Sequence, residues 1–202
     1  IGGLSNPSIS RRVISQVHKS LKEYSSNEIF VQVMWTGTTR KEFFFFDKNN
    51  EDDFVKTYLN DLLLNDGITE NIKEYNKQRK QWLTGIGAFN LIRETYRNES
   101  ENARLYYTLK EIEYLKNFLE SNNIKYIFTA AYDDLYKPSE NNYINEIYER
   151  LDIENNFVHY KHKDNILFFN EYTDLKKYPR GKVADHPLEF AHQNWANVIL
   201  NT

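Results

Sequence analysis

Ile29-Phe30-Val31-Gln32-Val33-Met34-Trp35 is a compact apolar run rich in β-branched residues, and it breaks at once into the polar loop Thr36-Gly37-Thr38-Thr39-Arg40. A run this short and this branched reads as a buried strand. Ile124 to Ala131 is a second run of the same kind, and Ile166 to Phe169 reads as a third. Long helical patterns lie between them and no hairpin signal does. That order argues for an α/β fold with a parallel sheet, layered α/β/α.

The helical patterns fill in the rest. Asn6-Pro7 is a helix start, with Asn as cap and Pro at the first helical position. Ile9, Val13, Val17, Leu21 and Tyr24 follow at helical spacing. Ala103 to Ser121 carries the clearest stripe, Leu105, Leu109, Ile112, Leu115 and Leu119, and Asn122-Asn123 stops it. Ile144, Ile147 and Leu151 mark a further helix. Leu188 to Leu200 closes the chain, with Leu188, Ala191, Trp195 and Ile199 facing inward. Phe54, Tyr58, Leu59, Leu62 and Leu63 predict an amphipathic helix ending near Asn65-Asp66-Gly67. Residues 68–98 read as mostly helical, with Trp82, Ile86, Phe89 and Tyr96 on one face, weakened at Gly85 and Gly87. Phe43 to Phe46 reads either as a short strand or as an aromatic loop plug. Lys137-Pro138-Ser139 and Tyr178 to Gly181 read as a turn and a loop. The whole is one domain over 1–202, with a helical insertion at about 47–100.

Composition narrows the function classes. The chain has 202 residues, 40% apolar and 27% charged, which suits one domain with a sizeable core. A net charge of -3 offers no broad basic field, so nucleic-acid binding by phosphate neutralisation is disfavoured. The absence of cysteine excludes disulfides, thiolate metal sites and cysteine nucleophiles. No apolar run approaches the ~20 residues that span a bilayer, and no signal peptide is visible. A cytoplasmic or virion-associated protein is expected, with no cofactor, no nucleic acid and no membrane as partner.

In an open α/β sheet, sites gather at the carboxyl ends of the strands. Thr36 to Arg40, Ala131 to Asp134 and the loop ending at His186 all fall there. Each residue also has a plain structural reading. Asp133-Asp134 flanks a site or is a polar loop end. Arg40 with Glu42 clamps a substrate carboxylate or forms a surface pair. His159 and His162 have the i, i+3 spacing of a helical metal pair, but Lys161 and Lys163 around them favour a solvated turn. His192 belongs to the last helix as a structural residue. Trp35 and Trp195 belong to the core. Gly2-Gly3, before the first helix, could cradle an anion.

Taken in order, three short blocks resemble the SGNH/GDSL-type hydrolase superfamily, particularly its divergent bacteriophage and viral versions. Gly2-Gly3-Leu4-Ser5-Asn6 is similar to the second block, whose glycine lends a backbone N–H to the oxyanion hole. Val33 to Arg40 resembles the strand-to-loop third block. Asp185-His186-Pro187, with Ala191-His192 after it, resembles the fifth block, where the histidine before proline is the catalytic base. The resemblance implies a flavodoxin-like sheet and serine ester hydrolysis of an acyl ester or acetylated carbohydrate. His186 and Asp185 would be catalytic, with Gly3, Asn6, Thr38 and Arg40 around the oxyanion or substrate.

The chain departs from the pattern in three places. The family's serine sits in a Gly-Asp-Ser segment ahead of the glycine block, so the domain is expected to be incomplete at its N-terminus. An upstream segment or a partner chain would then complete the sheet. The third-block asparagine has no match, and Thr36, Thr38 or Thr39 could offer a hydroxyl in its place. The usual acid lies three residues before the histidine, where this chain has Val183. Asp185 is adjacent to His186, and neighbouring side chains in an extended segment point apart. Glu171, Asp174 or a backbone carbonyl could orient the imidazole instead. A non-catalytic virion or assembly protein that keeps the fold is the alternative.

Overall fold

A computed structural model of the chain describes residues 5–45, 53–58, 81, 84, 88–136, 140–163, 165–180 and 187–201. Helix α1 spans Asn6–Ser20 and leads into strand β1, Phe30–Trp35. Strands β2 (Arg40–Phe45) and β3 (Asp53–Tyr58) follow, then helices α2 (Ala88–Asn98) and α3 (Glu101–Ser121). Strand β4 is Lys125–Ala130 and helix α4 is Asn142–Leu151. Short strands β5 (Tyr160–His162) and β6 (Asn165–Leu167) precede helices α5 (Phe169–Leu175) and α6 (Glu189–Leu200).

The centre is the parallel pair β1–β4, in register from Phe30 opposite Lys125 to Trp35 opposite Ala130. Phe157 makes a parallel bridge to Phe128 on the far side of β4. There the Val158 N–H donates to the Phe128 carbonyl at 2.8 Å. The mixed α/β class and the two principal strands are as the sequence indicates.

Alternation along β1 sends Val31, Val33 and Trp35 to one face. They meet Val17 of α1, Leu105, Leu109, Ile112, Leu115 and Leu119 of α3, and Ile144, Ile147 and Leu151 of α4. Leu109, Ile112, Leu115 and Leu119 have no exposed surface, and burial of each contributes roughly 1.5–3 kcal/mol. Met34, on the opposite face, packs against Phe169, Tyr172 and Trp195 of α5 and α6.

The stop after α3 explains how β4 is aimed. Asn123 takes the left-handed conformation, φ 55°. The Ile124 N–H then reaches back to the Leu119 carbonyl at 2.9 Å, and the Asn123 N–H to Glu120 at 3.0 Å. This is a Schellman closure, which asparagine tolerates better than other non-glycine residues. Ile124 and Leu119 are both buried beneath it, and the chain passes straight into the sheet.

Several sequence expectations are corrected. Ser5, not Asn6, caps α1; its hydroxyl accepts the Ser8 N–H at 3.4 Å. Asn6 becomes the first helical residue because a tertiary contact uses its side chain. The start of the expected helix at Phe54 is strand β3, antiparallel to β2 with Arg40 opposite Tyr58 and Phe45 opposite Asp53. Phe54, Val55, Thr57 and Tyr58 are strong strand formers, and β2 provides the partner. The helical spacing there depended on Leu59, Leu62 and Leu63, which lie outside the described residues, as do Asn65 to Gly67. Of the helix read over 68–98, residues 88–98 form α2, with Ile92 and Tyr96 buried; residues 68–80, Trp82, Gly85, Ile86 and Gly87 lie outside the described residues. The third strand is not part of the parallel sheet. Ile166 belongs to β6, antiparallel to β5, and Phe169 already starts α5. Two antiparallel pairs therefore exist where none was expected. Leu188 is 46% exposed, acting as the cap residue of α6 rather than facing inward. The turn at Lys137-Pro138-Ser139 lies outside the described residues.

Candidate active site at the carboxyl edge of the sheet

The carboxyl ends of β1 and β4 lie side by side, and the ladder continues past them: the Ala131 N–H donates to the Trp35 carbonyl at 2.8 Å. The Asn170 N–H then donates to the Ala131 carbonyl at 3.0 Å, which fixes the start of α5 on the end of β4. Three polar segments converge as a result. They are the loop from Thr36, the turn Asp133–Leu135 and the first turn of α5.

The start of α1 joins the same rim through Asn6, which is 1% exposed. Its Oδ1 accepts the Thr36 N–H at 3.0 Å, and its Nδ2 donates to the Thr36 carbonyl at 3.0 Å. A longer contact, 3.5 Å, runs from Nδ2 to Thr108 Oγ1 on α3. The amide thus satisfies Thr36 as a neighbouring strand would. These two buried backbone groups would otherwise lack partners, at about 1–3 kcal/mol each.

The next residues bind across the rim. Asp134 Oδ2 accepts both the Thr38 N–H (2.9 Å) and the Thr38 hydroxyl (3.1 Å). Gly37 makes this approach possible: a Cβ there would stand 3.2 Å from Asp134 Oδ2 and 3.4 Å from the Tyr132 ring. The Tyr96 hydroxyl donates to the Thr39 carbonyl at 3.1 Å and ties α2 to the loop.

Glu171, half-buried in the first turn of α5, completes the group. Burial raises its carboxyl above the ordinary value, and the charges of Asp133 and Asp134 raise it further. Backbone N–H groups of Glu171 and Asp133 oppose the shift. Its Oε2 is buried and has no hydrogen-bond partner among the described residues. A carboxylate of this kind can accept a proton or hold a donor such as an imidazole N–H. Asp174 is otherwise occupied, 67% exposed and ion-paired to Arg180 at 2.6 Å.

Of the site residues read from the sequence, Asn6 and Thr38 come together here, and Arg40 opens β2 directly after them with its N–H 3.4 Å from the Gly37 carbonyl. Gly3, Asp185 and His186 lie outside the described residues, as do Gly2 and Val183. Pro187 is buried and bridges antiparallel to Arg180, and the Leu188 N–H donates to the Pro179 carbonyl at 3.2 Å. His192 is exposed on α6 with its ring 4.6 Å from that of Phe169, a packing role. His159 Nδ1 bonds the Phe157 carbonyl at 2.8 Å, and His162 lies on β5 rather than on a helix. Among the described residues, no group of three His, Asp or Glu side chains is arranged to hold a metal ion.

Two features had little or no sequence signal. Asn6 and Thr36 are separated by 30 positions, and nothing local announces their pairing. Glu171 is one of three alternatives the sequence offers, with Asp174 and a backbone carbonyl; what distinguishes it from Asp174 is burial, which is tertiary. No family model matches the chain, and no match to it was found among curated proteins or solved structures.

Proposed function

We propose that the chain is a serine ester hydrolase of SGNH type, with a three-layered, flavodoxin-like arrangement, acting on a small acyl ester or an acetylated carbohydrate. His186 is the general base and Gly3 an oxyanion donor. In that family the nucleophile is the serine of a Gly-Asp-Ser segment ahead of the glycine block. Glu171 takes the place of the acid missing at Val183 and orients the imidazole. Thr38 and Arg40 border the substrate, and Asn6 serves by fastening the start of α1 to the rim.

One observation carries this reading. The first turn of α1, the loop after β1 and a desolvated carboxylate on α5 meet at the carboxyl edge of one parallel pair. A weak serine nucleophile needs this convergence: a base within hydrogen-bond reach, and donors fixed before charge develops.

The test is hydrolysis of p-nitrophenyl acetate by the protein, alongside His186→Ala, Glu171→Gln and Asp174→Asn. His186→Ala is expected to remove the enzyme-dependent rate. Glu171→Gln is expected to lower kcat by roughly 10–100-fold and change the pH profile, and Asp174→Asn to leave both unchanged. Equal rates for His186→Ala and the natural sequence overturn the mechanism.

A second reading has its own observation. The Asn6 amide is spent on Thr36, and Thr38 gives both of its donors to Asp134. A rim whose donors serve the fold suits a non-catalytic virion or assembly protein. Absence of any hydrolysis, and of labelling by a serine-directed fluorophosphonate, would favour that role.

A further inference from the structure

The face of the β1–β4 pair that carries Met34 is covered at its carboxyl end by Phe169, Tyr172 and Trp195. Toward the amino end the described residues leave it more open. Phe30 and Lys125 are register partners at that end, and Gln32 and Ile127 are the next pair on the same face. Phe30 is 59% exposed, Gln32 and Lys125 are exposed, and Ile127 is half-buried. Parallel sheets ordinarily bury both faces, so the exposure of Phe30 beside Ile127 on this strip is unusual. The strip opens into a groove of about 940 Å³ that continues past Phe157 and Val158. That size falls within the range of small-molecule sites, roughly 300–1,000 Å³.

The charges on the groove have one sign. Among the described residues Lys125 and Lys161 line it, and no Asp or Glu does. His159 stands between them, its ring held through Nδ1 by the Phe157 carbonyl. An apolar floor with ammonium groups on its lining complements a molecule with a hydrocarbon tail and a single anionic head. We infer that this groove binds a long-chain monocarboxylate, its tail against Phe30 and Ile127 and its carboxylate at Lys125 and Lys161. It lies at the amino ends of the strands, opposite the carboxyl edge, and does not depend on the hydrolase reading.

Decanoate below its micelle concentration is the probe, titrated calorimetrically into the intact protein. Decyltrimethylammonium and acetate are the controls. Saturable one-to-one binding of decanoate is expected, with neither control binding. The double variant Lys125→Glu/Lys161→Glu should weaken decanoate at least 10-fold and admit decyltrimethylammonium. Ile127→Asp should abolish both. Exposed lysines are chosen first so that folding, checked by circular dichroism, is preserved. Equal binding of the two amphiphiles would reveal a charge-blind apolar surface and overturn the assignment. So would a lack of saturation, or indifference to the lysine variants. A dimer in sedimentation velocity that the lysine variants dissolve would give the groove to a second copy, which also overturns it.

Discussion

Asn6→Ala tests the strut that joins α1 to β1. The substitution removes an acceptor for the Thr36 N–H and a donor for the Thr36 carbonyl, both at 3.0 Å, and leaves these groups buried. Thr36 is 5% exposed, so water has little access to replace the lost partners. Each unsatisfied group costs about 1–3 kcal/mol, and the pair is expected to cost about 3–4 kcal/mol in all. For a domain of this size that corresponds to a Tm lowered by roughly 6–16 °C. Urea denaturation followed by circular dichroism measures it directly. Two controls sharpen the reading. Thr108→Val removes only the 3.5 Å contact and should cost less than about 1 kcal/mol. Asn6→Asp keeps the acceptor but sets a carboxylate oxygen against the Thr36 carbonyl, and should lose at least as much stability as Asn6→Ala at pH 7. A loss below about 1 kcal/mol for Asn6→Ala would refute the strut.

Trp195→Ala is expected to cost about 3–5 kcal/mol, because Trp195 is 2% exposed and touches both Phe169 and Tyr172. Hydrogen exchange should show α6 losing protection before α3. Glu113 is held below its ordinary 4.5, chiefly by the hydrogen bond from Arg150, with Lys110 adding to it. Its stabilisation is therefore present above pH 4.5 and lost as pH falls through the lower folded value. Glu113→Gln should destabilise at pH 7, and its difference from the natural sequence should vanish in acid. Glu171 has the opposite sign: its carboxyl is raised by burial, so its charge opposes folding above the folded value, and no penalty remains below 4.5. Glu171→Gln should gain stability at pH 7 and lose that gain as pH falls toward 4.5. Urea titrations at pH 3.5, 5 and 7 read both variants.

The elements that the sequence revealed are those whose signal is local and repeated. Strand β1 falls one residue inside the apolar run Ile29–Trp35, and β4 lies within Ile124–Ala131. The stripe from Leu105 to Leu119 is the buried face of α3, and Ile144, Ile147 and Leu151 are the buried face of α4. Trp35 and Trp195 are core residues, as their positions indicate. The misreadings occur where a partner decides. Asp53–Tyr58 is a strand because β2 lies beside it, although its apolar residues also fit a helix. Asn6 is displaced from the cap because Thr36 competes for its side chain.

Periodicity and turn chemistry alone determined that this chain forms an α/β domain, that two apolar runs are its principal strands, and that α3 stops at Asn122-Asn123. These properties follow from interactions within a few residues of each other. Only the tertiary structure decided that Asn6 braces Thr36, that Asp134 binds Thr38 across 96 positions, and that Glu171 rather than Asp174 is the desolvated carboxylate. Hydrogen bonds and desolvation act through space, so their strength depends on what the fold brings near, and composition and spacing do not encode that.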